Sequence, residues 1–338
     1  MTTRRDLRRM LRAAFAASLL VLAGCSLPYI TSSHDDPADG AWVVVVASSE
    51  SETAPLLYRM DGGAPVAVLP DLVEFAKSRT GSAAKSWLPS PDGRRFAFVE
   101  SYHDGIYSRE RTCVVATDGP PWRVTELPDV GAPLAWTSDG ARLACFAAER
   151  ASDLDAPRGI AVVDVATASV WSFPDAACVP FFRRFAVAFS PDGVQLAFPR
   201  KDRGIALLDF PTGDVVDAAL PRADARSAVI GWLRDGRVAY CTSKGVVLFA
   251  RPGDAEATVF PTDIKNELPL SARPDGGAVL VGVERDPIIS MYKRRGGLVR
   301  YADGGREDLD MVKGFGWGFD KDIATWFDAP GPPGVPVR

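Results

Sequence analysis

One short unit recurs along the chain and limits what it can fold into. Asp-Gly stands between two apolar runs at Asp92-Gly93, Asp139-Gly140, Asp192-Gly193, Asp235-Gly236 and Asp275-Gly276, and Asp320 takes the same place in FGWGFDKDIATWF. The intervals between these aspartates are 47, 53, 43, 40 and 45 residues. A period in this range marks an array in which each repeat is one supersecondary unit.

Each unit has the same internal order. Three residues before the aspartate stand Trp136, Phe189, Trp232, Ala272 and Trp317, and Trp87 lies five before Asp92. A shift of two keeps a side chain on the same face of a strand. Asp-Gly between apolar runs predicts a β-hairpin with a type I′ turn. Aspartate tolerates left-handed geometry and hydrogen-bonds nearby N–H groups. Six aspartates at equivalent positions therefore point to a shared backbone need, because a catalytic acid is normally unique in its site. The runs after the turn, such as FAFV, LAFP and VAYC, carry alanine near the middle and predict tight packing between sheets. A second strand pair follows in each unit, as in GIAVVDVATASVWSFP (159–174) and GIALLDFPTGDVVDAAL (204–220). Four strands per repeat make an all-β fold of propeller blades.

The unit W/F-S-P-D-G followed by an apolar-Asp-x-x-(Thr/Asp)-Gly hairpin resembles the TolB-like propeller repeat, a relative of the WD repeat. The resemblance covers about residues 41–327. Joining the two chain ends gives five full four-stranded blades and one composite blade, six in all, as the expectation. In that blade AWVVVVAS fills the second (B) position, and the first (A) strand is expected at about 312–317. IATWF (323–327) also reads as a B strand and competes for the same slot, so a ring of seven sheets with one incomplete is the alternative.

The N-terminus reads as an address. MTTRRDLRRMLR is basic, and AAFAASLLVL (13–22) is apolar but shorter than the roughly 20 residues a membrane span needs. Leu22-Ala23-Gly24-Cys25 resembles the lipobox of bacterial lipoproteins, which implies cleavage before Cys25 and a diacylglycerol on its sulfur. Ser26 after that cysteine, where sorting depends on it, favours the outer membrane facing the periplasm. Thr3-Arg4-Arg5-Asp6-Leu7 loosely resembles a twin-arginine signal, and general secretion is the expectation. The division is then signal peptide 1–24, lipidated cysteine and tether 25–40, propeller 41–327 and a Pro/Gly-rich tail 328–338.

Charge and residue supply narrow the function. The chain carries −4 overall and about +4 in its first 24 residues, which leaves about −8 on the rest. A body that acidic has no general attraction to nucleic acid. The only histidines are His34, in the tether beside Asp35 and Asp36, and His103. A Ser-His-Asp triad would have to use His103, and no Gly-x-Ser-x-Gly elbow is present. Asp153-Leu154-Asp155 lacks the remaining ligands of a calcium loop. No cofactor and no metal site is expected. Of the cysteines after Cys25, Cys145 and Cys241 read as buried core residues on B strands too distant to bond. Cys113 and Cys178 are left open.

Function should then sit on the face opposite the Asp-Gly turns. There three B–C connections are long: 101–111, 149–159 and 284–297. The first and third hold Tyr102, His103, Tyr107, Arg109, Tyr292 and Arg294, and Tyr and Arg dominate protein interfaces. The segments 72–85 and 178–185, the latter with Phe181 and Phe182, share that face. The expectation is a membrane-tethered binder of an envelope protein or peptide. The alternative is a small-molecule or carbohydrate site in the central channel.

Overall fold

The computed structural model describes residues 42–48, 53–59, 66–67, 70–80, 85–104, 107–117, 121–147, 158–178, 187–200, 204–262, 267–284, 296–302, 305–309 and 324–327. Its strands form antiparallel sets of four. Set I holds β1 (Trp42–Ser48), β2 (Thr53–Arg59) and β3 (Val66–Ala67). Helix α1 (Pro70–Thr80) leads to set II, with β4 (Lys85–Pro89), β5 (Arg95–Asp104), β6 (Tyr107–Ala116) and β7 (Val124–Leu127). Set III holds β8 (Val130–Trp136), β9 (Arg142–Ala147), β10 (Arg158–Asp164) and β11 (Ser169–Cys178). Set IV holds β12 (Ala188–Phe189), β13 (Gln195–Arg200), β14 (Gly204–Asp209) and β15 (Val215–Asp217). Set V holds β16 (Ala228–Trp232), β17 (Val238–Cys241), β18 (Val247–Ala250) and β19 (Thr258–Val259). Set VI holds β20 (Glu267–Ala272), β21 (Ala278–Glu284), β22 (Gly296–Ala302) and β23 (Gly305–Leu309). The last strand, β24 (Ala324–Phe327), returns to β1.

The sets pack side by side: first strand meets first strand for β8 on β4, β12 on β8, β16 on β12, β20 on β16 and β24 on β20, and β4 of set II packs on β1 and β2 of set I. Because β24 belongs to set I, the series closes on itself as a β-propeller. Sets III and IV also share one bridge, Cys178 opposite Arg200. No helix among the described residues is long and apolar enough to cross a membrane.

The closure differs from the sequence expectation. ATWF is the innermost strand of set I and not a second B strand. β2 covers one edge of β1 through seven pairs from Trp42–Arg59 to Ser48–Thr53. Only the inner edge is left, and β24 takes it with Trp42 opposite Phe327 and Val45 opposite Ala324. The segment 312–317, with Trp317 and Asp320 around it, lies outside the described residues.

The B strands of sets III, IV and V are buried on both faces, which explains their unbroken apolar runs. Within set III, Leu143 and Cys145 face set II, in a cluster with Leu88, Ala97 and Val114. Ala144, between them, faces set IV, in a cluster with Leu196 and Phe198. Set IV repeats the pattern, with Ala197 in the cluster of Val238 and Tyr240. Set V does so again, with Ala239 in the cluster of Val279 and Val281. The recurring alanine thus presents a small side to the larger side chains of the next sheet. One tryptophan adds a polar link: Trp136 is buried and its Nε1–H donates to the Leu88 carbonyl of set II at 3.0 Å. Trp87 stacks on Phe98 with ring centroids 4.6 Å apart.

The Asp-Gly hairpins are not type I′. Positive φ falls on Gly93, Gly140, Gly193, Gly236 and Gly276 and on none of the five aspartates. In SPDG the Gly193 N–H donates to the Ser190 carbonyl at 2.8 Å, closing a type I turn with proline at its second position. Asp192 Oδ1 accepts from the Ser190 hydroxyl at 2.5 Å and the Val194 N–H at 3.1 Å, and the Gln195 N–H donates to Ser190 Oγ at 2.9 Å. Ser90 with Asp92 and Thr137 with Asp139 repeat this arrangement. Leu233 and Arg273 have no hydroxyl, and there Arg237 Nε and Arg273 Nε donate to Asp235 and Asp275 instead. The aspartate acts as an acceptor that organises the turn, while the glycine alone takes the left-handed residue.

These turns also touch the next set. Arg95 donates to the Gly140 carbonyl, Ser138 Oγ to the Pro191 carbonyl at 3.0 Å and the Arg234 N–H to the Pro274 carbonyl at 2.8 Å. A Cβ on Gly140 would lie 3.0 Å from Asp92 Oδ1 of set II. Gly140→Ala is therefore expected to cost more than the about 1–2 kcal/mol of left-handed geometry alone. Gly253→Ala, at φ 85° with open space around it, should show only the conformational part. Urea unfolding of both variants reads the difference, and equal losses would remove the inter-set contact from the account.

The same turns set an acid limit. Hydroxyl and backbone donors, Thr137 first for Asp139 and Ser190 first for Asp192, hold these carboxyls below the usual aspartate range. At Asp235 and Asp275 partial burial acts in the opposite sense, and donors from Arg237 and from Arg273 and Gly277 outweigh it. A depressed folded pKa contributes stability that is complete above the unfolded value and lost as pH falls through the folded one. The urea midpoint should therefore fall below about pH 4, and less steeply in the Asp139→Asn, Asp192→Asn double variant. An unchanged slope in that variant would contradict the assignment.

Candidate partner-binding face

The B–C connection of set II is not a loop. β5 and β6 continue as a paired ribbon to Asp104 opposite Tyr107, with Tyr102 opposite Arg109 and His103 opposite Ser108. β4 leaves β5 after Val99 and β7 meets β6 only from Thr112, so residues 100–104 and 107–111 run past the four-stranded sheet as two strands. Tyrosine, serine and arginine in alternation suit a two-stranded extension, and reading the segment as a loop overlooked that pattern. By contrast, the B–C turn of set V spans only Thr242–Val246.

Strand alternation divides the ribbon into two faces. Register positions 100, 102, 104, 107, 109 and 111 share one face, and 101, 103, 108 and 110 the other. Positions 102, 107 and 109, held by Tyr102, Tyr107 and Arg109, therefore share one face, and the position of His103 is on the other. Tyr102 is half-buried, with the Arg111 guanidinium 4.9 Å from its ring centroid. Cys25, Tyr292, Arg294, Phe181, Phe182, His34 and the segments 149–157 and 285–295 lie outside the described residues.

At the base of the ribbon is a charge cluster that the sequence reading missed. Glu100, at the end of the apolar run FAFVE, has a side chain with 0% exposure. A buried carboxylate costs several kcal/mol unless it is paired and hydrogen-bonded. Arg79 Nε donates to its Oε1 at 2.7 Å and Arg111 Nε to its Oε2 at 3.0 Å. The outer nitrogens of both guanidiniums bond Glu126 of β7, Arg79 Nη2 to Oε1 at 2.9 Å and Arg111 Nη1 to Oε2 at 2.8 Å. The hydrogen bond to Glu100 raises the pKa of Arg79.

Arg79 arrives on α1, inside the connection 72–85 placed on this face. Pro70 starts that helix, and Leu72 and Ala76 are buried on one side of it. Spacing was the available signal: Leu72, Phe75, Ala76 and Arg79 fall at i, i+3, i+4 and i+7. Arg79 also lies 5.9 Å from the Phe75 ring centroid. Beneath the cluster the Cys113 thiol meets Glu100 Oε2 at 3.4 Å. Burial, then the Glu100 charge, pushes the Cys113 thiol up to about 12. Burial likewise pushes Cys241 up to about 12 and raises Cys145 and Cys178. All four are buried thiols. Among the described residues no group of three metal-ligating side chains gathers.

No protein-family model matches the chain, and no curated protein is significantly similar to it. Solved structures do resemble it. TolB from Acinetobacter baumannii aligns with a TM-score of 0.57 and 19% identity, over 86% of this chain and 68% of that one. Puromycin hydrolase aligns at 0.49 and 15% identity, over 83% of this chain and 55% of that one. The β-propeller domain of the trilobed protease from Pyrococcus furiosus aligns at 0.43 and 15%, over 67% and 70%. The first establishes a shared TolB-like propeller fold.

Removing the buried acid should cost far more than removing the exposed one. Glu100→Gln strips both Nε groups of their anionic partner and is expected to destabilise by about 3–5 kcal/mol. Glu126→Gln, at a half-exposed pair, is expected to cost under about 1 kcal/mol. Denaturant unfolding compares them, and equal losses would refute the burial argument. The four described thiols should resist a thiol reagent in native buffer and react in denaturant. Native reaction at Cys113 would contradict its placement.

Proposed function

We propose that the chain is a lipid-anchored propeller of the bacterial envelope that binds a protein or peptide partner through its ribbon-bearing face, with no catalytic step. The observation that supports this reading best is the ribbon. A paired two-stranded extension puts Tyr102, Tyr107 and Arg109 at register positions on one face, with α1 and two further arginines at its base. Aromatic and arginine side chains held on a stiff element bind with little loss of conformational entropy. The opposite face is occupied by turn-to-turn bonds that join neighbouring sets. Rigid scaffolds carry function on the loops they position.

The anchor is read from Leu22-Ala23-Gly24-Cys25, and Ser26 favours the outer membrane, facing the periplasm. Residues 26–40, rich in Ser, Pro, Asp and Gly, would serve as a tether spanning roughly 20 Å.

A photo-crosslinker at Tyr102 in intact envelopes should trap one defined partner, and one at the exposed Val216 on set IV should not. Tyr102→Ala is expected to weaken capture about tenfold, the effect of losing one aromatic anchor. The same adducts from both positions, or none from Tyr102, would sink the proposal. Separately, Cys25→Ala should release the protein from the membrane fraction and remove the lipid mass, and unchanged membrane retention would exclude the anchor.

A further inference from the structure

We propose that Arg79 and Arg111 form a binding site for a carboxylate of the partner, and that Glu126 fills it as an internal stand-in. The inference rests on the partner-binding reading of this face and gives it a chemistry. The two guanidiniums are held from behind by Glu100, which is fully buried and takes one Nε–H from each. Their outer edges then point to one place, where the two oxygens of a single carboxylate accept from different arginines at 2.9 and 2.8 Å. Charge-assisted bonds from two arginines to one carboxylate are the arrangement by which proteins recognise free carboxylates.

The two acids are not equivalent. Glu100 has 0% side-chain exposure and Glu126 has 49%, while Arg79 and Arg111 have 26% and 28%. Expelling Glu100 would strand two arginines over an apolar core, with the Cys113 thiol beneath. Expelling Glu126 only returns a half-exposed side chain on β7 to water, at the small cost of a surface ion pair. An incoming carboxylate can therefore take its place without disturbing the pair behind it. The site has aromatic walls, with Tyr102 over Arg111 and Phe75 over Arg79, which reduce solvation on the outer side. An internal ligand of this kind lowers apparent affinity by the fraction of time it occupies the site. Binding of a partner would then release Glu126.

The carboxylate could come from a chain terminus or from an acidic side chain, and three peptides separate these. Ligand-observed NMR on the full chain would use acetyl-Gly-Ser-Gly-Ala with a free carboxylate, its C-terminal amide, and acetyl-Gly-Ser-Asp-Gly-Ala amide. At least one carboxylate-bearing peptide should bind, the uncharged amide should not, and Glu126→Gln should tighten binding about two- to fivefold. Arg111→Lys keeps the charge but loses the fork, and while still folded, with a melting temperature lowered by the weakened bond to Glu100, it should lose most of the binding. Preference for the free terminus assigns a chain end, and preference for the Asp peptide assigns an acidic side chain. Equal binding of the amide, or no tightening in Glu126→Gln, overturns the site. Crosslinking from Tyr102 keeps the two proposals apart. A partner trapped equally well in wild type and Arg111→Lys means the face binds without this site, and no partner from either means the face itself was misjudged.

Discussion

Sets III, IV and V each depend on having an apolar neighbour on both sides. Ala144 faces one way and Leu143 and Cys145 the other, and the same division recurs at Ala197 and Ala239. A sheet with two apolar faces has no stable existence alone, because neither face tolerates water. The first and last sets are therefore obliged to meet. Closure through β24 follows from the pattern inside the B strands as much as from the strand itself.

The same demand separates the two faces of the ring. The Asp-Gly turns lie where neighbouring sets converge, and their carbonyls are taken up by residues of the adjacent set. Their carboxylates are committed to the turn's own hydroxyl, amide and guanidinium donors. On the other face the connections differ from set to set, with a five-residue turn in set V and the ribbon in set II.

Strand order and the two-faced core were legible in the sequence because repetition states them several times over. The turn type was not. Asp-Gly signals both type I′ and type I followed by a left-handed glycine, and only the serine or threonine two residues before the aspartate tells them apart. Ser90, Thr137 and Ser190 carried that signal. Long connections were legible as a face, but not the structure within them. The ribbon hid because its alternation is polar on both sides, and α1 because it is short. Glu100 was the hardest to see. Its importance lies in being buried, and burial came from an arginine 21 residues earlier and another 11 residues later.

The seam between β1 and β24 has a mechanical side. A pull transmitted through residues ahead of Trp42 enters the ring at the end of β1, where Trp42 is opposite both Arg59 and Phe327. Load along β1 is then shared by two ladders, seven pairs to β2 and four to β24, which resist as parallel rows and do not open one bond at a time. Both ends of the described chain lie in this one sheet, so force on one end bears on the strand that secures the other. A domain held at one terminus and loaded by a partner on its face would stay closed by this construction, since the closing strand sits inside the ring and not at its rim.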